Sequence, residues 1–328
     1  MSLDTRITRF FGIEHPVVLA PMAGISGGRL AAAVTSAGGL GLIGGGYGDA
    51  EWLRREFGRA GGVTVGCGFI SWSLAHQPAL LDEALERQPA AIMLSFGELQ
   101  PFADRIHAAG VPLIAQAQTL DHARRALDAG AEVVVAQGGE AGGHGMTARA
   151  TFTLVPDVVD LAAERLPGTL VLAAGGVTDG RGLAAALALG ADGALVGTRF
   201  WASPEALVSP RAHERALPAS GDDTLRTRAY DLVRRLDWPA GYDARALGNT
   251  FLDTWHGNED RLAVSLPEVV AEYEKAVAAE DFEAAAILVG EGVGLVREVR
   301  PAADIMADMV AQAGRILSRA TGPTSIQR

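Results

Sequence analysis

The chain of 328 residues holds one cysteine, Cys67, and one lysine, Lys275. A lone thiol excludes an internal disulfide framework and a cysteine-ligated metal centre, and suits a reducing compartment. A lone lysine, away from every predicted strand end, argues against Schiff-base chemistry. No run approaches 18 uninterrupted apolar residues, and the opening residues MSLDTRITRFFG lack the apolar stretch of a leader. These absences predict a cytoplasmic protein with no membrane partner. Excess positive charge is also missing. The net charge of −11 sets the molecule as a whole against nucleic acid and anionic membrane, yet allows a local basic pocket.

What the chain has in abundance is glycine, with 41 residues in a composition that is 48% hydrophobic. That combination excludes disorder and suits a fold with many tight strand–helix turns. Short apolar runs recur at regular spacing. Strands are predicted over 16–22, 40–43, 63–70, 91–96, 112–118, 133–137, 170–176 and 193–198. Helices are predicted between them, over 26–37, 50–59, 78–87, 101–109, 121–129, 156–165 and 180–189. The strands are near-continuously apolar instead of alternating, the pattern of a parallel sheet covered on both faces. Eight β–α units in about 200 residues is the count of a closed TIM (β/α)₈ barrel, an α/β fold. An open doubly wound sheet ranks second. A literal G-x-G-x-x-G at Gly39, Gly41 and Gly44 lies across a strand, not after it, and so is no dinucleotide turn.

Beyond Phe200 the pattern changes. Residues 204–265 mix charges, prolines and tryptophans without a strand signal, and 267–286 and 301–320 read as amphipathic helices. The expected organisation is a barrel core over 1–204, a helical lid over 205–290, and C-terminal helices over 291–328 that close the barrel. The wall of the pocket is expected from 145–155 and from the segment after 204.

In such a barrel ligands bind at the C-terminal ends of the strands, with phosphate on the loops after the seventh and eighth. Those loops are Ala174-Gly175-Gly176 and Gly197-Thr198, rich in open N–H groups, and a helix starting near Asp179 adds its positive end. The first strand brings Ala20, Pro21 and Met22 to the same rim, an apolar platform for a flat ring. The sixth strand, 133–137, runs into a loop with glycines at 138, 139, 142, 143 and 145 and His144 among them. An imidazole in such a loop is presented to a site. A phosphate cradle, an apolar platform and one imidazole suggest a phosphorylated aromatic cofactor with a base or donor beside it. His107 and His122 are expected on solvent-facing helix positions, and His256 is considered as a group reaching the mouth from the lid.

Four segments, APMAGIS (20–26), AGGLGLIGGGYG (37–48), AQGGEAGGHG (136–145) and AAGGVTDGRGLAAALALGADGALVGTRF (173–200), resemble the nitronate monooxygenase (formerly 2-nitropropane dioxygenase) family. That family also contains flavin-dependent enoyl-acyl-carrier-protein reductases and NADH:quinone reductases. The resemblance implies FMN held without a covalent bond. By motif position it places Ala20, Pro21 and Met22 along the isoalloxazine, Gly142 near the ring, and Ala174, Gly175, Gly176, Gly197 and Thr198 on the phosphate. Gln116 and Gln137 become polar contacts, Gly68 stands where many relatives carry asparagine, and His144 becomes the catalytic histidine. The implied reaction is oxidation of an alkyl nitronate by O₂ to a carbonyl compound and nitrite, with nitronate or nitroalkane as partner and a homodimer as the assembly to test. An NAD(P)H-driven reductase of an enoyl thioester or quinone, and a flavin-free isomerase or aldolase acting on a sugar phosphate, remain as alternatives.

Overall fold

The computed structural model describes residues 3–320; the last residues of the segment expected to close the barrel, 321–328, lie outside it. Eleven strands occur among the described residues: β1 (Val17–Leu19), β2 (Leu42–Gly44), β3 (Gly66–Ile70), β4 (Ile92–Ser95), β5 (Leu113–Ala117), β6 (Val133–Gln137), β7 (Gly143–Gly145), β8 (Leu170–Ala174), β9 (Gly193–Val196), β10 (Thr224–Thr227) and β11 (Asp243–Leu247). Eight of them form one parallel sheet in the order β1-β9-β8-β6-β5-β4-β3-β2. A parallel bridge between Val18 and Leu40 joins its two edges, so the sheet closes on itself. The fold is the expected (β/α)₈ barrel.

Closure explains the unbroken apolar runs, because each strand packs on both faces. One set of side chains, including Val18, Leu42, Met93, Ile114, Val135 and Leu172, fills the barrel interior. The alternate set, including Val17, Ile43, Leu94, Ala115, Val134 and Val171, packs beneath the helices. Gly39, Gly41 and Gly44 serve this packing. A Cβ on Gly41 would lie 1.9 Å from the Ala31 carbonyl oxygen, and one on Gly44 would lie 2.4 Å from that of Met22. The floor is plugged by the helix Arg6–Phe11, whose Ile7 joins the interior cluster. Arg6 fastens it through a two-point pair with Asp192, at 2.7 and 2.8 Å.

The eighth helix of the barrel comes late. After β9 the chain makes one short turn, Thr198–Trp201, and then leaves the barrel for about a hundred residues. It returns as Ala302–Ala320, seated between Gly180–Ala188 and Gly28–Ser36. Gly180 permits the contact, since a Cβ there would meet the Met309 carbonyl oxygen at 2.4 Å.

Three expectations change. The segment expected as a helical lid contains β10 and β11, which pair antiparallel with each other, and β11 pairs with β7 of the histidine loop. The helix expected over 267–286 is Leu266–Ala278; Glu280 turns left-handed at φ 51°, and Asn249 Nδ2 donates to the Phe282 and Ala285 carbonyls beyond it. The helix expected from 156 begins at Thr151, because Glu140 accepts from the Thr151 N–H at 3.0 Å and supplies a cap from another loop.

Ile7→Ala truncates the fully buried side chain of the floor plug. It is expected to lower the unfolding free energy by about 2–5 kcal/mol in a urea titration. A change below about 1 kcal/mol would mean that the helix Arg6–Phe11 does not seal the interior.

Candidate active site

At the C-terminal rim one cavity is lined by Ala20, Pro21 and Met22 after β1, Gln116 on β5, Gln137 on β6, and Gly142 and His144 in the glycine loop. Ala174, Gly175 and Gly176 from β8 and Gly197 and Thr198 after β9 line it too. All the site residues expected from the sequence therefore converge there except Gly68. That residue sits under the rim, where a Cβ would fall 2.3 Å from Pro21 Cγ, so its role is to let Pro21 approach β3. Gly142 reaches the cavity, but its close approach is to the backbone of Val289 and Gly290.

Part of the cavity lining is a backbone cradle. Gly175 and Gly176 take φ of 99° and 73°, which side chains rarely adopt. Among the described residues no acceptor takes the N–H groups of Gly175, Gly176, Gly197 or Thr198. Thr198 Oγ1 accepts from the Gly290 N–H at 3.0 Å, which leaves its own proton to donate. The helix after Asp179 contributes less than expected, because its first N–H groups are already taken. Asp179 accepts those of Arg181 and Gly182, and Gln312 Oε1 accepts that of Gly180.

His144 lines the same cavity from β7, opposite Ala244 of β11. Its Nε2 lies 2.8 Å from Asp231 Oδ1, with both side chains buried. A carboxylate only accepts, so Nε2 carries the proton and Nδ1 keeps its lone pair, with no partner among the described residues. The Trp238 indole covers one face of the imidazole, with ring centres 3.4 Å apart and planes 6° apart. Burial pushes the His144 pKa below its ordinary 6.5, while Asp231 pulls it the other way. At neutral pH the imidazole is therefore uncharged, a base with a free nitrogen.

Arg226 on β10 holds this loop in shape. Its guanidinium donates to the carbonyls of Gly139, Ala141, Gly143, Gly145 and Asp243, at 2.6–3.3 Å. Arg245, directly opposite on β11, also donates to Gly139. Burial, with Arg245 beside it, pushes the Arg226 pKa down to about 10. Behind the loop, Gln137 donates to the His144 carbonyl at 3.1 Å and accepts from Gln116 Nε2. Gln116 and Gln137 therefore brace the loop as well as line the cavity.

The wall differs in part from expectation. The segment after 204 supplies Arg234, Trp238, Leu288, Gly290 and Gly292, while nothing from 145–155 lines the cavity. His256 does not reach it; its Nδ1 lies 3.8 Å from Glu259 on the exposed side. His122 is half-buried, not solvent-facing, stacked on Tyr242 beside a neighbouring hollow. Sequence reading missed Asp231, Arg226, Arg234 and the stacking role of Trp238. Asp231 stands 87 residues from His144, and no spacing signal links them.

The profile of one protein family, described as Nitronate monooxygenase, matches residues 4–312. A nitronate monooxygenase of Neurospora crassa is 31% identical, over 90% of this chain and 88% of its own length. Among solved structures, FabK from Thermotoga maritima superposes with a TM-score of 0.84 at 31% identity, covering 97% of this chain and 99% of its own. Nitroalkane oxidase from Streptomyces ansochromogenes gives 0.79 at 28% identity, covering 96% and 99%.

Arg226→Met strips donors from the loop carbonyls. The expected cost is at least about 1–3 kcal/mol of stability, together with faster amide exchange across 139–145. Exchange unchanged from the parent protein would remove Arg226 from the account of the loop.

Proposed function

Because the chain belongs to the nitronate monooxygenase family, whose members are oxidoreductases, we propose that it binds FMN and oxidises alkyl nitronates with O₂ to a carbonyl compound and nitrite. One observation carries this reading: a glycine cradle and the His144 imidazole line a single cavity. The cradle suits a phosphate, because the N–H groups of Gly175, Gly176, Gly197 and Thr198 have no acceptor among the described residues. In the same cavity, Ala20, Pro21 and Met22 offer the apolar surface that a flat ring requires.

FMN, when bound, supplies the electron acceptance that side chains lack. Gly175, Gly176, Gly197 and Thr198 would hold its phosphate, with Ala174 beside them, and Ala20 to Met22 would lie along its ring. Gly142 and the Gln116–Gln137 pair would border that ring. His144 Nδ1 takes a proton from the carbon bearing the nitro group when a neutral nitroalkane arrives: the C–H bond breaks, an N–H bond forms, and the electron pair moves to the nitro oxygens. Once it has taken that proton, the imidazolium donates a hydrogen bond from Nδ1 to the oxygens of the nitronate so formed. Asp231 keeps the imidazole oriented in both cases, and Trp238 shields one face from water.

A second reading, an NAD(P)H-dependent FMN reductase of an enoyl thioester or quinone, would use the same barrel, cavity and histidine. Anaerobic mixing separates the two. Bleaching of the flavin by a nitronate, and not by NADH or NADPH, supports the first; rapid bleaching by a nicotinamide supports the second.

His144→Ala is expected to keep its flavin and lose at least about a hundredfold in kcat. Undiminished turnover would exclude the imidazole from the chemistry. With a neutral nitroalkane as substrate the base must be unprotonated, so kcat/KM rises with pH through the His144 pKa. That limb should lie below pH 6.5, since burial lowers the value from there. Asp231→Asn removes a contribution that raises this pKa, so the limb should move further acid while kcat falls. A limb that stays in place would deny Asp231 its influence on the base.

A further inference from the structure

We propose that Arg234 is the anion-recognition residue of this cavity, pairing with the planar two-oxygen anion of the ligand presented to His144. The ligand class is a small nitronate or a carboxylate of the same shape; naming the nitronate as substrate rests on the family reading, whereas the site does not.

Arg234 lines the same cavity as His144 and Trp238. No carboxylate of the described residues comes within 4.0 Å of its guanidinium, although most arginines named in ion pairs here have one well inside that limit. The guanidinium stands over the Tyr47 ring, 5.8 Å from its centre. Only two charged side chains other than the histidine line the cavity, Glu140 and Arg234. Glu140 is committed to the N–H and hydroxyl of Thr151, on the glycine-cradle side. The nearby carboxylate, Asp231, is turned to His144. Tyr47, Ile70, Phe96, Trp238 and Leu288 supply apolar and aromatic lining to the same cavity.

A half-buried cation without a counter-ion is costly to hold, and the cost falls when a ligand brings the opposite charge. Guanidinium matches two oxygens of one planar anion through parallel N–H bonds, so recognition here is of shape as well as of charge. The position is also fixed. Arg234 ends the short helix Ala229–Val233 that carries Asp231, and its N–H donates to the Tyr230 carbonyl at 3.0 Å. The next residue, Arg235, turns left-handed at φ 55°, and the Leu236 N–H closes back on the Asp231 carbonyl at 2.9 Å. One helix thus delivers the residue that orients the base and the residue that meets the anion. In a molecule of net charge −11, this local cation is what makes an anionic ligand welcome.

Calorimetric titration of the flavin-loaded protein with butanoate, and with butyramide as a neutral control, tests the proposal. Butanoate should bind at least about tenfold more weakly to Arg234→Met, with an intermediate loss in Arg234→Lys and butyramide indifferent to both. The lysine variant keeps a charge at this position and serves if the methionine variant fails to fold. Equal butanoate affinity in parent and variants, or no butanoate binding by the parent, would overturn the proposal. Arg234-dependent butanoate binding in a protein that turns over no nitronate would leave the anion site standing and remove the family reaction. Nitronate turnover whose KM is unmoved by Arg234→Met would do the reverse.

Discussion

The hydrogen bond from His144 Nε2 to Asp231 ties together two parts of the chain that have no local reason to meet. His144 leaves the sixth strand of the barrel, while Asp231 belongs to the long insertion that delays the eighth barrel helix. The bond orients the ring, assigns its proton to Nε2 and leaves the lone pair on Nδ1. It also leaves Asp231 Oδ2 buried without a partner among the described residues. The β7–β11 pairing and the Arg226 clamp support that one contact by fixing the backbone on both sides of it.

The barrel and the insertion divide the work accordingly. Strand ends of the barrel provide the glycine cradle and the apolar platform, on a frame whose interior is filled and whose floor is plugged. The insertion provides Asp231, Arg234 and Trp238, which bring a hydrogen-bond acceptor, a positive charge and a stacked ring to the surroundings of His144. A barrel rim is permissive in this way, since its loops can lengthen without disturbing the core beneath. No helix among the described residues is long and apolar enough to cross a membrane.

The barrel was legible because burial on both faces leaves a plain mark in the residues, as in Val133-Val134-Val135-Ala136. The cradle and His144 were legible because glycines at two strand ends have few other uses. β10 and β11 were not, since Thr-Leu-Arg-Thr and Asp-Ala-Arg-Ala-Leu are short, charged and only partly buried. Arg226 was hidden because it binds backbone carbonyls, which no side-chain pattern encodes. Asp231 and Arg234 sit in a five-residue helix and its cap, too short for periodicity to reveal which faces they take. The early end of Leu266–Ala278 is set by tertiary contacts from Asn249, against an amphipathic pattern that runs on.

The central claim is that His144 is neutral at pH 7, with its proton on Nε2 and its lone pair on Nδ1. Nitrogen NMR of the ring in protein labelled with ¹⁵N-histidine reads this directly, with His144→Ala identifying the resonances. The account predicts one protonated and one unprotonated nitrogen at pH 7, the protonated one being Nε2. An imidazolium at that pH, or the proton on Nδ1, would contradict it.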